Sequence, residues 1–146
     1  MGDNISLTAF PQSIRPPAVA TSTVTTSAVD VSGYRGSAFV VHCGASADTL
    51  SGSVYWTAKL QSSATELGTY ADVADADVQI ASTNAFGLVN DPAEDDELYW
   101  IGYNGTDAWV KVVITATGTH TNGTPISVFV LFGLPDLGGS TAKVNP

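Results

Sequence analysis

An all-β sandwich is the fold this sequence predicts, and three features carry the prediction. Val, Thr, Tyr and Trp populate short alternating segments. Gly, Asn, Asp or Pro separate those segments. No window combines a sustained helical apolar period with caps, and Ala, Leu, Glu and Lys are concentrated nowhere.

Residues 1–27 read as an extended N-terminal arm. Pro11, Pro16 and Pro17 exclude a continuous helix or a central strand, yet Ile5, Leu7, Phe10 and Ile14 are apolar, which a solvated linker does not need. The arm is expected to dock, on its own sandwich or on a neighbour. Residues 28–135 read as the sandwich and 136–146 as a tail.

The expected strands are Ala28–Val31, Ser37–Cys43, Ser53–Ser62, Tyr70–Val73, Asp77–Ala81, Leu98–Tyr103, Ala108–Thr117 and Ile126–Phe132. In Ser53–Ser62 the period of two is clean: Val54, Trp56, Ala58 and Leu60 share one face, and Tyr55, Thr57, Lys59 and Gln61 the other. Val110, Val112, Ile114 and Ala116 form a second inward row. Gly102 suggests a bulge, and Asn104-Gly105 a turn after which the next strand returns. The last strand is apolar on both faces, so it is central or covered on its outer face by another chain. The long connections before Ser53 and between Ala81 and Leu98 favour a jelly-roll-like sandwich, with an immunoglobulin-like sandwich as the alternative.

Composition narrows the function classes. Hydrophobic residues make up 44% and charged residues 13%, too apolar a balance for a disordered chain. No apolar run approaches the ~20 residues that span a bilayer. Met1-Gly2-Asp3-Asn4 lacks the basic start and apolar block of a secretory signal, and no basic patch accompanies Gly2 to support a lipid anchor. Five Lys and Arg face fourteen Asp and Glu, for a net charge of −9, which repels phosphate backbones and anionic membranes. The lone Cys43 cannot form an internal disulfide and reads as a buried small hydrophobe.

Chemistry-bearing patterns are sparse. His42 and Cys43 are adjacent in a strand, so they face opposite ways and cannot form a catalytic pair. His120 lies in a polar loop with no carboxylate near it in sequence. No nucleophile elbow, zincin helix, P-loop or dinucleotide fingerprint occurs, so neither an enzyme nor a cofactor is expected. The segment Asp91 to Glu97 crowds hard oxygen ligands, with Asp91, Glu94, Asp95 and Asp96 as weak calcium candidates. Its spacing is not that of a calcium loop, and a solvated acidic face is the plainer reading. Asp72, Asp75 and Asp77 form a looser set of the same kind. Trp56, Trp100 and Trp109 with Tyr55, Tyr99 and Tyr103 fit a core, or a platform for sugars. Trp109 falls opposite the Val110 row and is the expected interface tryptophan. Asn104-Gly105-Thr106 and Asn122-Gly123-Thr124 match the glycosylation pattern but read as turns.

Several strings carry a family resemblance. Val29-Asp30-Val31-Ser32-Gly33-Tyr34 leads into Ala38-Phe39-Val40-Val41-His42-Cys43-Gly44-Ala45, and Gly68-Thr69-Tyr70-Ala71-Asp72-Val73 follows Leu60-Gln61-Ser62-Ser63. Trp109 to Gly118 and Val128 to Pro135 close the pattern. From Val29 to Pro135 the order resembles a family of small tailed-bacteriophage structural proteins encoded among the head genes. The resemblance departs at Asp107-Ala108 and at Asp136, where the family pattern carries basic residues. It implies a virion protein that decorates or cements the capsid exterior, with the major capsid protein and neighbouring copies of itself as partners. A tail, head-fibre or head-completion component is the alternative, and a carbohydrate-binding module the alternative of another class. The partner-binding residues expected are Phe10, Ile14, Arg15, Pro16 and Pro17 of the arm, Arg35 in a turn, and Trp109. Deleting residues up to Val24 is expected to abolish docking and leave a folded sandwich.

Overall fold

The computed structural model describes residues 10–34 and 36–133. Among them run eleven strands: β1 (Phe10–Ala20), β2 (Val24–Thr25), β3 (Val29–Asp30), β4 (Ser37–Cys43), β5 (Tyr55–Ser63), β6 (Ala71–Asp72), β7 (Val78–Gln79), β8 (Phe86–Val89), β9 (Glu97–Tyr103), β10 (Trp109–Thr117) and β11 (Thr124–Phe132). A single turn of 3-10 helix, Asp75–Asp77, precedes β7. No helix of the described residues is long and apolar enough to cross a membrane.

The strands form two antiparallel sheets. One has the order β1-β11-β4-β9-β7; the other runs β2-β10-β5-β6, with β3 also on β10 and β8 also on β5. Take β1, β2, β4, β5, β6, β9, β10 and β11 as the eight main strands. The first sheet then reads first, eighth, third, sixth, and the second reads second, seventh, fourth, fifth. That alternation is the jelly roll, a long antiparallel ribbon folded over on itself. An immunoglobulin-like sandwich keeps hairpin neighbours paired within each sheet, whereas the five-stranded sheet here pairs no two successive strands.

The alternation read from the sequence is what fills the space between the sheets. Trp56, Ala58 and Leu60 of β5 and Val110, Val112 and Ile114 of β10 face Phe39 and Val41 of β4, Ile101 of β9, and Ile126, Val128 and Val130 of β11, all at most 1% exposed. Each of the larger side chains contributes about 1.5–3 kcal/mol of burial. Cys43 is 1% exposed in the same layer, and burial, reinforced by the Asp95 charge, pushes its thiol up to about 12.

Three expectations are decided by the structure. The extended segment expected to dock on its own sandwich or on a neighbour takes the first course and is in part a sheet strand: Phe10 to Ala20 is the edge strand of the first sheet, paired with β11 from Phe10↔Phe132 to Ala20↔Thr124. Val24-Thr25 pairs with β10. Prolines lack the N–H that a central strand must donate, so the run with Pro11, Pro16 and Pro17 fits only at an edge, and the ladder shifts register on both sides of Arg15. Residues 1–9 and 134–146 lie outside the described residues. Gly102 is no bulge, since β4 and β9 pair without a shift through Ala38↔Gly102. Its missing side chain instead admits β7, because a Cβ there would lie 3.2 Å from Gln79 Cβ. Finally, Asn104-Gly105 does not close a hairpin; it carries the chain from β9 in one sheet to β10 in the other.

Candidate functional site: the outer face of the five-stranded sheet

Alternation gives each sheet an outward row, and the two rows differ in kind. On the second sheet β5 turns out Tyr55, Thr57, Lys59 and Gln61, and β10 turns out Trp109, Lys111, Val113 and Thr115. This is mainly a solvated face: Lys59 Nζ lies 3.0 Å from Asp72 Oδ2, and Lys111 sits 4.2 Å over the Tyr70 ring. On the five-stranded sheet β11 turns out Ser127, Phe129 and Leu131, β4 turns out Ala38, Val40 and His42, and β9 turns out Leu98 and Trp100. The register lines up Phe129, Val40 and Trp100 on three adjacent strands. Val40 is 0% exposed although it is outside the core between the sheets, whereas Leu98 and Trp100 stay 48% and 41% exposed. A second, outer apolar cluster has therefore formed, open to solvent along β9. Isolated surface apolar residues need no account, but a contiguous cluster on a sheet face does.

Next to this cluster is a depression of about 500 Å³, lined by His42, Asp96, Glu97, Leu98, Ser127 and Phe129. His42 Nε2 stands 3.5 Å from Asp96 Oδ1, with both side chains well exposed. Asp96 holds a positive φ of 57° at the turn into β9, a conformation that Asp tolerates better than most residues. A serine, a histidine and a carboxylate thus share one hollow, and the chemistry they offer is limited. His42 faces Asp96, and no hydrogen bond joins it to Ser127 among the described residues.

The residues expected to bind partners do not converge. Ile14 packs partly buried against the core, and the Arg15 guanidinium donates to the Ala18 carbonyl at 3.4 Å. Pro16 and Pro17 are exposed on the β1 edge, and Phe10 pairs through its backbone with Phe132. Prolines and register shifts blunt this edge against a further strand. Trp109 is half-buried on the opposite sheet, beside Asp30 and Ser63. Arg35 lies outside the described residues. The aromatic residues split likewise: Trp56 is 0% exposed and Tyr103 7%, while Tyr55 and Trp109 sit at opposite ends of the β5–β10 ladder, roughly 26 Å apart. They form no row for a sugar chain.

The acidic segment is tied up in shaping its own loop. Glu94 Oε2 accepts from the Asn90 and Asp91 amides, Asp91 Oδ1 accepts from the Ala93 amide, and Asp95 Oδ2 accepts from the Ser46 amide at 2.8 Å. Among the described residues no three His, Cys, Asp or Glu side chains are grouped to hold a metal ion.

The sequence missed a polar knot at the end of the sandwich. His120, read as a loop histidine without a carboxylate, is 4% exposed, with its ring 4.2 Å from that of Trp56 and its Nδ1 3.9 Å from Asp48 Oδ2. Its Nε2 faces two acceptors, the Tyr55 and Thr117 carbonyls, so that nitrogen carries the proton. Trp56 Nε1 donates to Thr124 Oγ1 at 3.0 Å, and Thr124 donates in turn to Ser46 Oγ at 2.9 Å. No local signal announced this, because Asp48 and His120 are far apart in the chain.

No family model, curated protein or solved structure matches this chain.

Proposed function

We propose that the protein is a structural subunit that docks through the outer face of its five-stranded sheet onto a larger protein assembly. In this reading the assembly is the head shell of a tailed bacteriophage, and the chain is a decoration or cement protein on the capsid exterior, bound to the major capsid protein and to neighbouring copies. The single observation that carries the docking surface is the contrast between the two outer faces: Lys, Gln and Thr alternate with Tyr55, Trp109 and Val113 on one, while Phe129, Val40 and Trp100 adjoin across three strands, with Leu98, on the other. The cluster buries Val40 but leaves Leu98 and Trp100 open to solvent, the kind of patch that a partner covers. The net charge of −9 favours a position away from nucleic acid, and the sequence resemblance supplies the virion setting. The fold alone carries no function, since jelly rolls serve capsids and lectins alike.

Co-sedimentation with purified head shells that lack the protein tests the proposal. Wild-type protein is expected to pellet with the shells, Trp100→Ser and Leu98→Ser to lose most of that binding, and Lys59→Ser on the opposite face to retain it. Shells that ignore the wild-type protein would overturn it. Copies per particle, hundreds against a few, separate shell decoration from a tail, head-fibre or head-completion role. The exposed Trp100 also suits a carbohydrate-binding module, and glycan-array binding that Trp100→Ser abolishes would favour that reading instead.

A further inference from the structure

We infer that the surface docking on this face inserts a Lys or Arg side chain into the depression beside the apolar cluster, its aliphatic stem against Leu98 and Phe129 and its charged head at Asp96. The inference rests on the docking face proposed above and names the chemistry of the partner.

The hollow is apolar along Leu98 and Phe129 and acidic at the Asp96 carboxylate. Lys and Arg are built for such a surface, because the methylene stem covers apolar groups while the head stays at a polar rim. The chain supplies no such group itself among the described residues. Among the described residues, Lys59 pairs with Asp72 and Lys111 lies over Tyr70, both on the other sheet, and Arg15 turns back to the Ala18 carbonyl. His42 comes nearest, at 3.5 Å from an Asp96 carboxylate that is 73% exposed. A second copy presenting this same face brings more carboxylates and no Lys or Arg among the described residues, so charge complementarity selects a different polypeptide. The apolar cluster would supply the centre of that interface and the inserted cation its register, since a desolvated charge-assisted pair tolerates little displacement.

Two short peptides test this. One is acetylated and amidated Leu-Val-Lys-Val-Leu; the other has norleucine in place of Lys, which keeps the stem and removes the charge. Titration followed by amide and indole NMR shifts is expected to map both peptides to Leu98, Trp100 and Phe129, with the Lys peptide about tenfold tighter. In Asp96→Asn/Glu97→Gln the ratio should fall to near one. In Asp30→Asn/Glu66→Gln, which removes the same charge elsewhere, it should persist. An equal affinity in the wild type, a ratio untouched by the first double variant, shifts on another face, or no binding of either peptide would each overturn the inference. Head shells separate this failure from that of the parent reading. Shells that bind wild type and Asp96→Asn/Glu97→Gln equally sink the inserted cation alone, whereas shells that bind neither sink the docking role.

Discussion

The side-chain amide of Asn84 stands in for a missing strand residue beside Leu60. Its Oδ1 accepts from the Leu60 N–H at 2.8 Å and its Nδ2 donates to the Leu60 carbonyl at 2.9 Å. Along this edge of β5, β6 pairs at Gln61 and Ser62 and β8 pairs at Trp56 and Ala58, so Leu60 falls in the gap between them. Leu60 is 0% exposed, and water cannot replace the amide.

Asn84→Ala should therefore cost about 1–3 kcal/mol, the penalty of an orphaned buried N–H. Asn84→Asp keeps the acceptor but sets a carboxylate oxygen against the Leu60 carbonyl, and should cost at least as much at neutral pH. Urea unfolding checks both; a loss under about 0.5 kcal/mol in the alanine variant would mean that the backbone finds another partner.

Thr124→Val tests the knot at the other end of β5. Valine keeps the shape of a side chain that is 0% exposed but removes the acceptor for the Trp56 indole N–H. The expected loss is again about 1–3 kcal/mol, with an altered near-ultraviolet signal from the buried indole. An unchanged unfolding midpoint would show that the indole bond contributes nothing.

Asp48 makes stability depend on acid. Hydrogen bonds from the Asn122 amide first, then from the Gly123 amide and the Asn122 side chain, hold its carboxyl below the ordinary value of 3.8. A carboxylate lowered in the folded state stabilises fully above its unfolded pKa and loses that contribution as pH falls through the folded one. The unfolding midpoint should therefore drop as pH falls below about 3.8, and Asp48→Asn should be less stable at neutral pH with a shallower acid slope. Parallel slopes for the two proteins would remove Asp48 from the account.

Cys43 should be silent toward thiol reagents in the native protein. With its thiol pushed up to about 12 and 1% exposed, almost no accessible thiolate exists at pH 8. A disulfide-exchange chromogen should report no thiol in buffer and one per chain in denaturant. Rapid native reaction would show that the sandwich opens at β4.

Ile80 is strained for no packing return: its φ is 73°, and its side chain is 71% exposed. A β-branched residue in the left-handed region costs roughly 1–2 kcal/mol, whereas Asn is at home there. Ile80→Asn should raise stability by about 1 kcal/mol. Destabilisation would mean that the exposed isoleucine is covered by something else.

Much of the fold was legible because one face of each strand is buried and the period of two is a local property. Ser37–Cys43 was placed at its observed bounds, and the inward rows of β5 and β10 were read correctly. Strands β1, β2 and β8 were missed for different reasons. In β1, prolines mask a strand that an edge tolerates; β2 is only two residues long; and β8, Phe86-Gly87-Leu88-Val89, holds Gly87 at a φ of 63°. The pairing of β1 with β11 also bears on a truncation of the N-terminal segment. Removing residues up to Val24 would strip an edge strand from β11, so point changes on the outer face are the cleaner test.

By itself the sequence determined the all-β sandwich class, the small buried cysteine and the acidic balance, since each follows from residue type and local alternation; the choice of jelly roll over immunoglobulin-like sandwich came from the strand pairing. The tertiary structure alone decided which side of the apolar β11 strand faces the core, and that its other side joins Val40 and Trp100 in an open cluster. It alone brought Asp48 to His120, and His42 to Asp96. The physical reason is the same throughout: alternation fixes which residues share a face of one strand, but only the pairing of strands distant in the chain fixes what lies beside them.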